Sequence, residues 1–225
     1  MANKRSSIYK YTNLKNINNF KSILDHGVYA CPCELLNDPF EWERIDEHGK
    51  GRYRIACFSF SRNSKLMWGH YADGHRGCMI HFVLPADYDS TFESSNLLRK
   101  VNYENKIGYD KISSDYERLY HKDKKWQYEN EIRAVFDLEE HDSNQWEIID
   151  NLVFYKIKVR SIFFGCETFK EDNYKQVLKV IYDYNQNHTK KINVGRFKIK
   201  ESNKYAFALD QSFNFEEELK KVGIL

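Results

Sequence analysis

The chain has 225 residues, 41% of them hydrophobic and 16% aromatic, which is enough apolar material for a buried core and unlike a disordered chain. Its 35 lysines and arginines nearly balance 33 aspartates and glutamates. The resulting net charge of +2 favours neither a nucleic-acid binder nor a membrane-surface protein.

The first residues, MANKRSSIYKYTN, and the cysteines indicate the compartment. The basic N-terminus has no apolar stretch after it, and no later run reaches the length of a membrane span, so we expect neither a secretory signal nor membrane contact. Five cysteines without a CxxC spacing are typical of reduced thiols, which favours the cytoplasm. Without an internal repeat or a low-complexity linker, the sequence predicts one domain over residues 1–225.

Hydrophobic periodicity predicts strands and helices that are interspersed along the chain. Helices are predicted over 16–27, 63–74, 113–123 and 172–187, and residues 34–43 read as a loop because Asn-Asp-Pro breaks a helix. Strands are predicted over 8–12, 52–61, 78–84, 131–138, twice within 151–165, and over 194–200 and 204–210. Because the elements show no regular βαβ spacing, we expect an α+β fold with mostly antiparallel sheet and helices packed on it.

Residues 126–133, WQYENEIR, place two carboxylates two positions apart. If a strand begins by Tyr128, alternation puts Glu129, Glu131 and Arg133 on one face and leaves the other face apolar. One interpretation is a solvated face whose ion pair contributes about 0–1 kcal/mol. The other is a site in which one glutamate orients a substrate hydroxyl or stabilises a developing cation, while Arg133 keeps the pair ionised.

The predicted helix over 63–74 carries Trp68, His70 and Tyr71 within four residues. All three side chains need polar partners when buried, so the helix is either a mixed core and surface element or part of a binding site. A metal is not expected, since Gly74 separates His70 from His75 and no third ligand has a motif spacing.

Two further groups of polar residues have weaker interpretations. Ser59 and Ser61 precede His70, but the chain has no GxSxG elbow that would indicate a hydrolase. Asn37, Asp38 and Glu41 lie in the loop at 34–43, where polar residues are common for reasons of turn geometry alone.

Several stretches in combination resemble a known bacterial family. The N-terminal stretches are YKYTN at 9–13, followed by a helix, and LNDPFE at 36–41. The central ones are CFS at 57–59 and LMWGHYADGHRG at 66–77, followed by a phenylalanine. The last are WQYENEIR at 126–133, preceded by a lysine, and FFG at 163–165. From about Tyr9 to Gly165 the chain is similar to the DUF2971 family, whose name defines no function.

The order of parts is also similar to that of toxin-type ADP-ribosyltransferases. Glu129-Asn130-Glu131 matches their Glu-x-Glu, which implies Glu131 as the catalytic carboxylate and Glu129 as the group that activates the acceptor. CFSFS at 57–61 corresponds to their Ser-bearing strand, which implies a binding role for Ser59. Lys10 or Tyr11 stands where that group has His or Arg, a departure from its pattern.

The resemblance implies a fold like that of the ADP-ribosyltransferases and a substrate, NAD. Trp68, His70 and Tyr71 would contact its rings, and Arg133 or Lys10 its phosphates, with no metal required. The implied activity is that of an ADP-ribosyltransferase or NAD glycohydrolase, in a bacterial toxin or phage-defence effector. Its partners would be a protein or nucleic-acid acceptor and an associated defence or antitoxin protein.

Two other functions stay open. A nucleotide- or nucleic-acid-binding module would use the aromatic helix together with Arg62, Lys65 and Arg76, because interleaved rings and basic groups suit stacked bases and phosphates. A nuclease would hold a divalent metal on Asp38, Glu129 and Glu131. A chelator would stop the nuclease alone, and a binding module would turn nothing over.

Overall fold

The computed structural model describes residues 7–84, 97–105, 112–139, 143–200 and 203–225. The described part of the chain has an α+β fold, as predicted from the sequence. Its strands are β1 Ser7–Thr12, β2 Val28–Pro32, β3 Tyr53–Ser59, β4 Cys78–Val83, β5 Leu98–Lys100, β6 Asn102–Glu104, β7 His121–Asp123, β8 Glu131–Asp137, β9 Trp146–Ile149, β10 Leu152–Tyr155, β11 Val159–Phe164, β12 Asn193–Lys200 and β13 Asn203–Leu209.

The helices lie between these strands without a regular order. They are α1 Ile17–Asp25, α2 Glu47–Arg52, α3 Lys65–Tyr71, α4 Asp115–Arg118, α5 Tyr174–Asn187 and α6 Phe215–Lys221. Short 3₁₀ segments add Cys33–Leu35, Pro39–Glu41, Lys124–Glu129, Ser143–Gln145 and Thr168–Lys170. Across the described residues, no helix has the length and apolar character needed to cross a membrane.

Contacts divide the chain into two units, each assembled from separate segments. The first unit contains the described residues within His26–Phe60 and Leu84–Ile157. Its described strands form an antiparallel sheet in the order β9-β10-β2-β3-β8-β5, and β6 and β7 form a separate parallel pair. Strand β8 lies between β3 and β5, and all seven of its residues are buried.

The second unit contains the described residues within Ser6–Asp25, Ser61–Val83 and Lys158–Leu225. Its described strands follow the order β13-β12-β11-β4-β1, with only the β11/β12 pair parallel. Helices α1 and α5 supply apolar faces to this unit: Phe20, Ile23 and Leu24 are buried in α1, and Tyr174, Val177, Leu178 and Ile181 in α5. The interpretation of residues 1–225 as one domain stays a prediction.

Glycine at position 27 is required by a close approach in the first unit. Its φ is +104°, and a Cβ at this position would lie 2.1 Å from the carbonyl oxygen of Tyr155. Helix α1 ends at Asp25, two residues before this glycine, whereas the predicted helix ran over 16–27. Glycine adopts such a conformation without steric cost.

The predicted helix over 113–123 is wrong in its second half. Helix α4 ends at Arg118, and residues His121–Asp123 instead form β7, which pairs with β6. The backbone of Tyr120 accepts a hydrogen bond from the Asn102 N–H at 2.7 Å, so tertiary pairing overrides local helix propensity here. This correction matters because it places Lys122 in the site described next.

Candidate functional site

Five charged side chains are buried together in the first unit, and we call them the charged cluster. None is more than 6% exposed, although charged groups are rarely buried without partners. The members are Glu41, Lys122, Glu129, Glu131 and Arg133. The interpretation of the two sequence-predicted glutamates as part of a solvated strand face is therefore wrong.

Strand β8 brings two members of the cluster to one face. Glu131 and Arg133 alternate with Ile132 and Ala134, as predicted, and they pair with Ser59 and Cys57 of β3. Glu129 reaches the cluster differently from the prediction. It closes a 3₁₀ segment, and Asn130 then adopts a left-handed conformation at φ +46°. The strand begins at Glu131, as predicted for residues 131–138, and the alternative start by Tyr128 does not occur.

Arg133 fixes the position of the Glu131 carboxylate. Its Nε donates to Glu131 Oε1 and its Nη2 to Glu131 Oε2, both at 2.9 Å, in the bidentate geometry that guanidinium groups favour. Nη1 donates to the backbone oxygen of Leu119 at 2.7 Å, and Nη2 also donates to Glu41. These bonds commit the guanidinium to the protein, so Arg133 is suited to orient a carboxylate rather than to bind a phosphate.

Lys122 joins the two predicted catalytic glutamates through its ammonium group. Nζ donates to Glu129 Oε2 at 2.7 Å and to Glu131 Oε2 at 3.5 Å, and also to Asn37 Oδ1 at 3.3 Å. The ring of Trp126 lies 4.9 Å from Nζ, in cation–π contact. One ammonium therefore lies between two carboxylates and reduces the repulsion between them.

Backbone hydrogen bonds hold the two glutamates in place. Ser59 Oγ donates to the backbone oxygen of Glu129 at 2.5 Å, and the Glu131 N–H donates to the hydroxyl oxygen of Tyr103 at 2.8 Å. Ser59 is buried. Ser59 therefore lies beside Glu129 and Glu131, and its hydroxyl supports the turn that carries Glu129.

The carboxyls of the cluster have pKa values shifted in opposite directions. Burial alone would raise the pKa of Glu131, but Arg133 and Lys122 outweigh it and lower the value to about 2. Burial raises the pKa of Glu41, and there the same two cations do not compensate. Burial lowers the pKa of Lys122, but the surrounding glutamates, Glu131 first, raise it above its usual range. Carboxyls pushed apart in this way are a feature of acid–base sites.

Sequence reasoning named Glu41 only as a polar residue of the stretch predicted as a loop and did not assign it to the site. Pro39–Glu41 form a 3₁₀ turn in which the Asp38 side chain accepts a hydrogen bond from the Phe40 N–H at 3.1 Å. The turn leaves Phe40 67% exposed and Glu41 only 3% exposed, the reverse of what hydropathy predicts. In the sequence Asp-Pro, Asp38 can cap a helical turn and Pro39 suits its first position. This dipeptide could have indicated the turn but not the direction in which Glu41 points.

The aromatic helix α3 lies in the second unit, and its tryptophan belongs to the core. Trp68 is 0% exposed. Its ring lies 5.2 Å from that of Tyr11, 5.6 Å from His75, 5.5 Å from Phe197 and 6.2 Å from Phe207. A ring enclosed in this way has no face for a base or a nicotinamide, so we leave Trp68 out of the proposed site.

The other predicted NAD-binding residues of this unit differ in exposure. His70 is exposed and Tyr71 half-buried, while Lys10 is half-buried on β1 opposite Ile80. Tyr11 is buried and donates from its hydroxyl to the Ser61 backbone oxygen at 2.7 Å. The structure therefore brings four of the predicted site residues together in the first unit: Ser59, Glu129, Glu131 and Arg133. The other five belong to the second unit: Lys10, Tyr11, Trp68, His70 and Tyr71.

The carboxylates of the charged cluster are arranged around Lys122 and Arg133. No group of three His, Cys, Asp or Glu side chains within the described ranges has the geometry to hold a metal ion. Asp38 caps the turn at 39–41, and Glu129 and Glu131 both contact Lys122. The nuclease set of Asp38, Glu129 and Glu131 thus lacks support in this geometry.

Comparison with known proteins finds a similarity to one family over part of the chain. Residues 67–134 match the family model described as protein of unknown function, DUF2971. This confirms the DUF2971 resemblance over a segment that includes Lys122, Glu129, Glu131 and Arg133. No curated protein and no solved structure matches the chain.

Proposed function

We propose that the protein is an NAD-consuming enzyme, an ADP-ribosyltransferase or an NAD glycohydrolase, whose reaction centre is the charged cluster. The observation that carries the proposal is the arrangement of Glu129 and Glu131 on one ammonium group, with Glu131 held ionised by Arg133. It agrees with the Glu-x-Glu pattern of the sequence. The proposal uses residues of the first unit alone.

The chemistry needs a carboxylate that is charged at every physiological pH. When the bond between ribose C1′ and the nicotinamide nitrogen breaks, the nitrogen keeps the electron pair and positive charge develops on the ribose. Glu131, with a pKa of about 2, is suited to stabilise that charge. The acceptor oxygen, from water or a macromolecule, then bonds to C1′, and Glu129 takes its proton.

The other residues of the cluster have supporting roles. Arg133 and Lys122 position the two carboxylates and keep Glu131 ionised, and Ser59 fixes the backbone of Glu129. Trp126, half-buried over Lys122, replaces Trp68 as the ring that would stack on nicotinamide or adenine.

Solvent lies one residue away from the cluster. Asn37 is exposed, and its side-chain oxygen accepts a hydrogen bond from Lys122. A substrate would therefore approach past Asn37 and Trp126. The acceptor is proposed to be water, a protein or a nucleic acid, and the biological setting to be a toxin or phage-defence system with an associated antitoxin or defence protein.

The experiment is incubation of the purified protein with NAD while free nicotinamide is measured, with and without a chelator. The proposal predicts nicotinamide release that the chelator leaves unchanged. Release that stops with the chelator would favour metal-dependent chemistry. Absence of release, with no change in the melting temperature on adding NAD, would contradict the proposal.

A further inference from the structure

One oxygen of the charged cluster lacks a hydrogen-bond donor. Lys122 has three N–H donors, and they are directed at Glu129, Glu131 and Asn37. Glu41 Oε1 lies 3.1 Å from Nζ but outside hydrogen-bond geometry, and it accepts no hydrogen bond from any described residue. The other oxygen, Oε2, accepts from Arg133 Nη2.

The charges of the cluster do not balance if every carboxyl is ionised. Three glutamates would oppose one lysine and one arginine, which leaves one negative charge in a region where no member is more than 6% exposed. An uncompensated buried charge is strongly unfavourable, and a group in that position usually becomes neutral instead. One proton in the cluster restores the balance of two carboxylates against two cations.

We infer that Glu41 carries this proton on Oε1 in the free protein and is the neutral carboxyl of the charged cluster. Of the three glutamates, Glu129 and Glu131 each receive a hydrogen bond from Lys122, and Glu131 receives two more from Arg133. Among the described residues of the cluster, only Glu41 has a buried oxygen that accepts no hydrogen bond, since Lys122 Nζ at 3.1 Å lies outside hydrogen-bond geometry. Protonation of Oε1 therefore breaks no existing hydrogen bond, whereas protonation of Glu131 would break several.

The charged groups that face Glu41 come from three neighbouring elements. They are Lys122 from β7, Glu131 and Arg133 from β8, and Glu129 across Lys122 from the 3₁₀ segment. Burial of the carboxyl raises the pKa of Glu41 more than Arg133 and Lys122 lower it, and the repulsion of Glu131 raises it further. When Glu41 does ionise, its O–H bond breaks, the proton passes to water, and the cluster gains one negative charge.

The protonation of Glu41 does not depend on the proposed function. The effect of Glu41 on turnover rests on the proposed function. A cluster that becomes negative stabilises positive charge on the substrate better than a neutral one. Glu41 is then a positioning residue that sets the charge of the reaction centre, and NAD cleavage would rise with pH as Glu41 ionises.

The test is thermal denaturation of the full chain and its Glu41→Gln variant between pH 4 and pH 9. Glutamine resembles a neutral glutamic acid, so the two melting temperatures should agree near pH 4. Because the folded state binds the Glu41 proton more tightly than the unfolded state, wild-type stability falls as pH rises and that of the variant falls less. The variant should therefore become progressively the more stable of the two. Glu216→Gln, at an exposed carboxyl, is the matched control and should show no such trend.

A Glu41→Gln variant that is increasingly less stable than wild type as pH rises would overturn the inference, because it would show an ionised Glu41. If the variant does not fold, infrared spectroscopy of the wild type decides: a protonated carboxyl band must persist at pH 7. If NAD is cleaved, wild-type turnover should rise with pH and Glu41→Gln turnover should not. A protein that cleaves no NAD would still give a result in the denaturation experiment.

Discussion

Arg133 binds the carboxylate of Glu131, two residues earlier on the same strand, through two parallel hydrogen bonds of 2.9 Å. Alternation along β8 places both side chains on one face, and the fully buried strand keeps water from competing for the bonds. The Glu131 carboxylate is thus fixed and desolvated. The free energy of unfolding therefore depends on each of its partners remaining in place.

Replacing Glu131 with glutamine should destabilise the fold by about 3–5 kcal/mol at pH 7, because it removes the ionised carboxylate that receives two hydrogen bonds from the buried Arg133 and leaves Glu41 as the remaining carboxyl partner of that cation. The folded-state pKa of Glu131 is depressed from 4.5 to about 2, so its contribution is present above the unfolded-state pKa and is lost as pH falls through the folded-state value. Urea denaturation should show a large difference from wild type at pH 7 and a smaller one near pH 3. A difference independent of pH would contradict the ionised state.

Replacing Ser59 with alanine should cost about 1–3 kcal/mol, because the backbone oxygen of Glu129 loses its buried donor. Ser59 supports Glu129 and does not bind NAD in our account, so kcat should fall while KM changes little. Chemical denaturation and steady-state kinetics measure the two effects. Unchanged stability together with a raised KM would instead indicate that Ser59 contacts the substrate.

The two tryptophans should respond in opposite ways. Trp68→Ala removes a fully buried ring and should cost about 3–5 kcal/mol, and Trp68→Phe should recover part of this. Trp126→Ala removes a half-buried ring over Lys122 and should affect NAD binding more than the melting temperature. We expect the Trp68→Phe variant to bind NAD with wild-type affinity. If this variant lost NAD affinity and Trp126→Ala did not, Trp68 would be part of the binding site.

Much of the local structure could be predicted from the sequence because it depends on short-range periodicity. The shared face of Glu131 and Arg133 and the buried face of α5 follow from spacing alone. Burial could not be predicted in the same way. Alternation shows which residues share a face of β8, and only the neighbouring strands and the turn at 39–41 decide that this face is closed to solvent.

The partners of the two glutamates come from distant parts of the chain. Glu41 lies 92 residues from Arg133, and no local pattern relates them. Lys122 falls in a segment whose composition favours a helix, and pairing of β7 with β6 overrides that preference. The left-handed Asn130, which carries Glu129 toward Lys122, likewise depends on contacts that a single sequence does not encode locally.

We propose that Glu131 acts in NAD cleavage in addition to stabilising the fold. Asp137 provides the matched control, since it lies on the same strand, is buried, and pairs with Arg52 outside the cluster. Asp137→Asn should therefore lose stability, as Glu131→Gln does, without loss of the reaction centre.

The most direct measurement is the rate of nicotinamide release from NAD by wild type, Glu131→Gln and Asp137→Asn, each at a temperature where circular dichroism shows it to be folded. The account predicts release by wild type and Asp137→Asn and none by Glu131→Gln. Release by Glu131→Gln at the wild-type rate would contradict the account, and the charged cluster would then be a structural ion network.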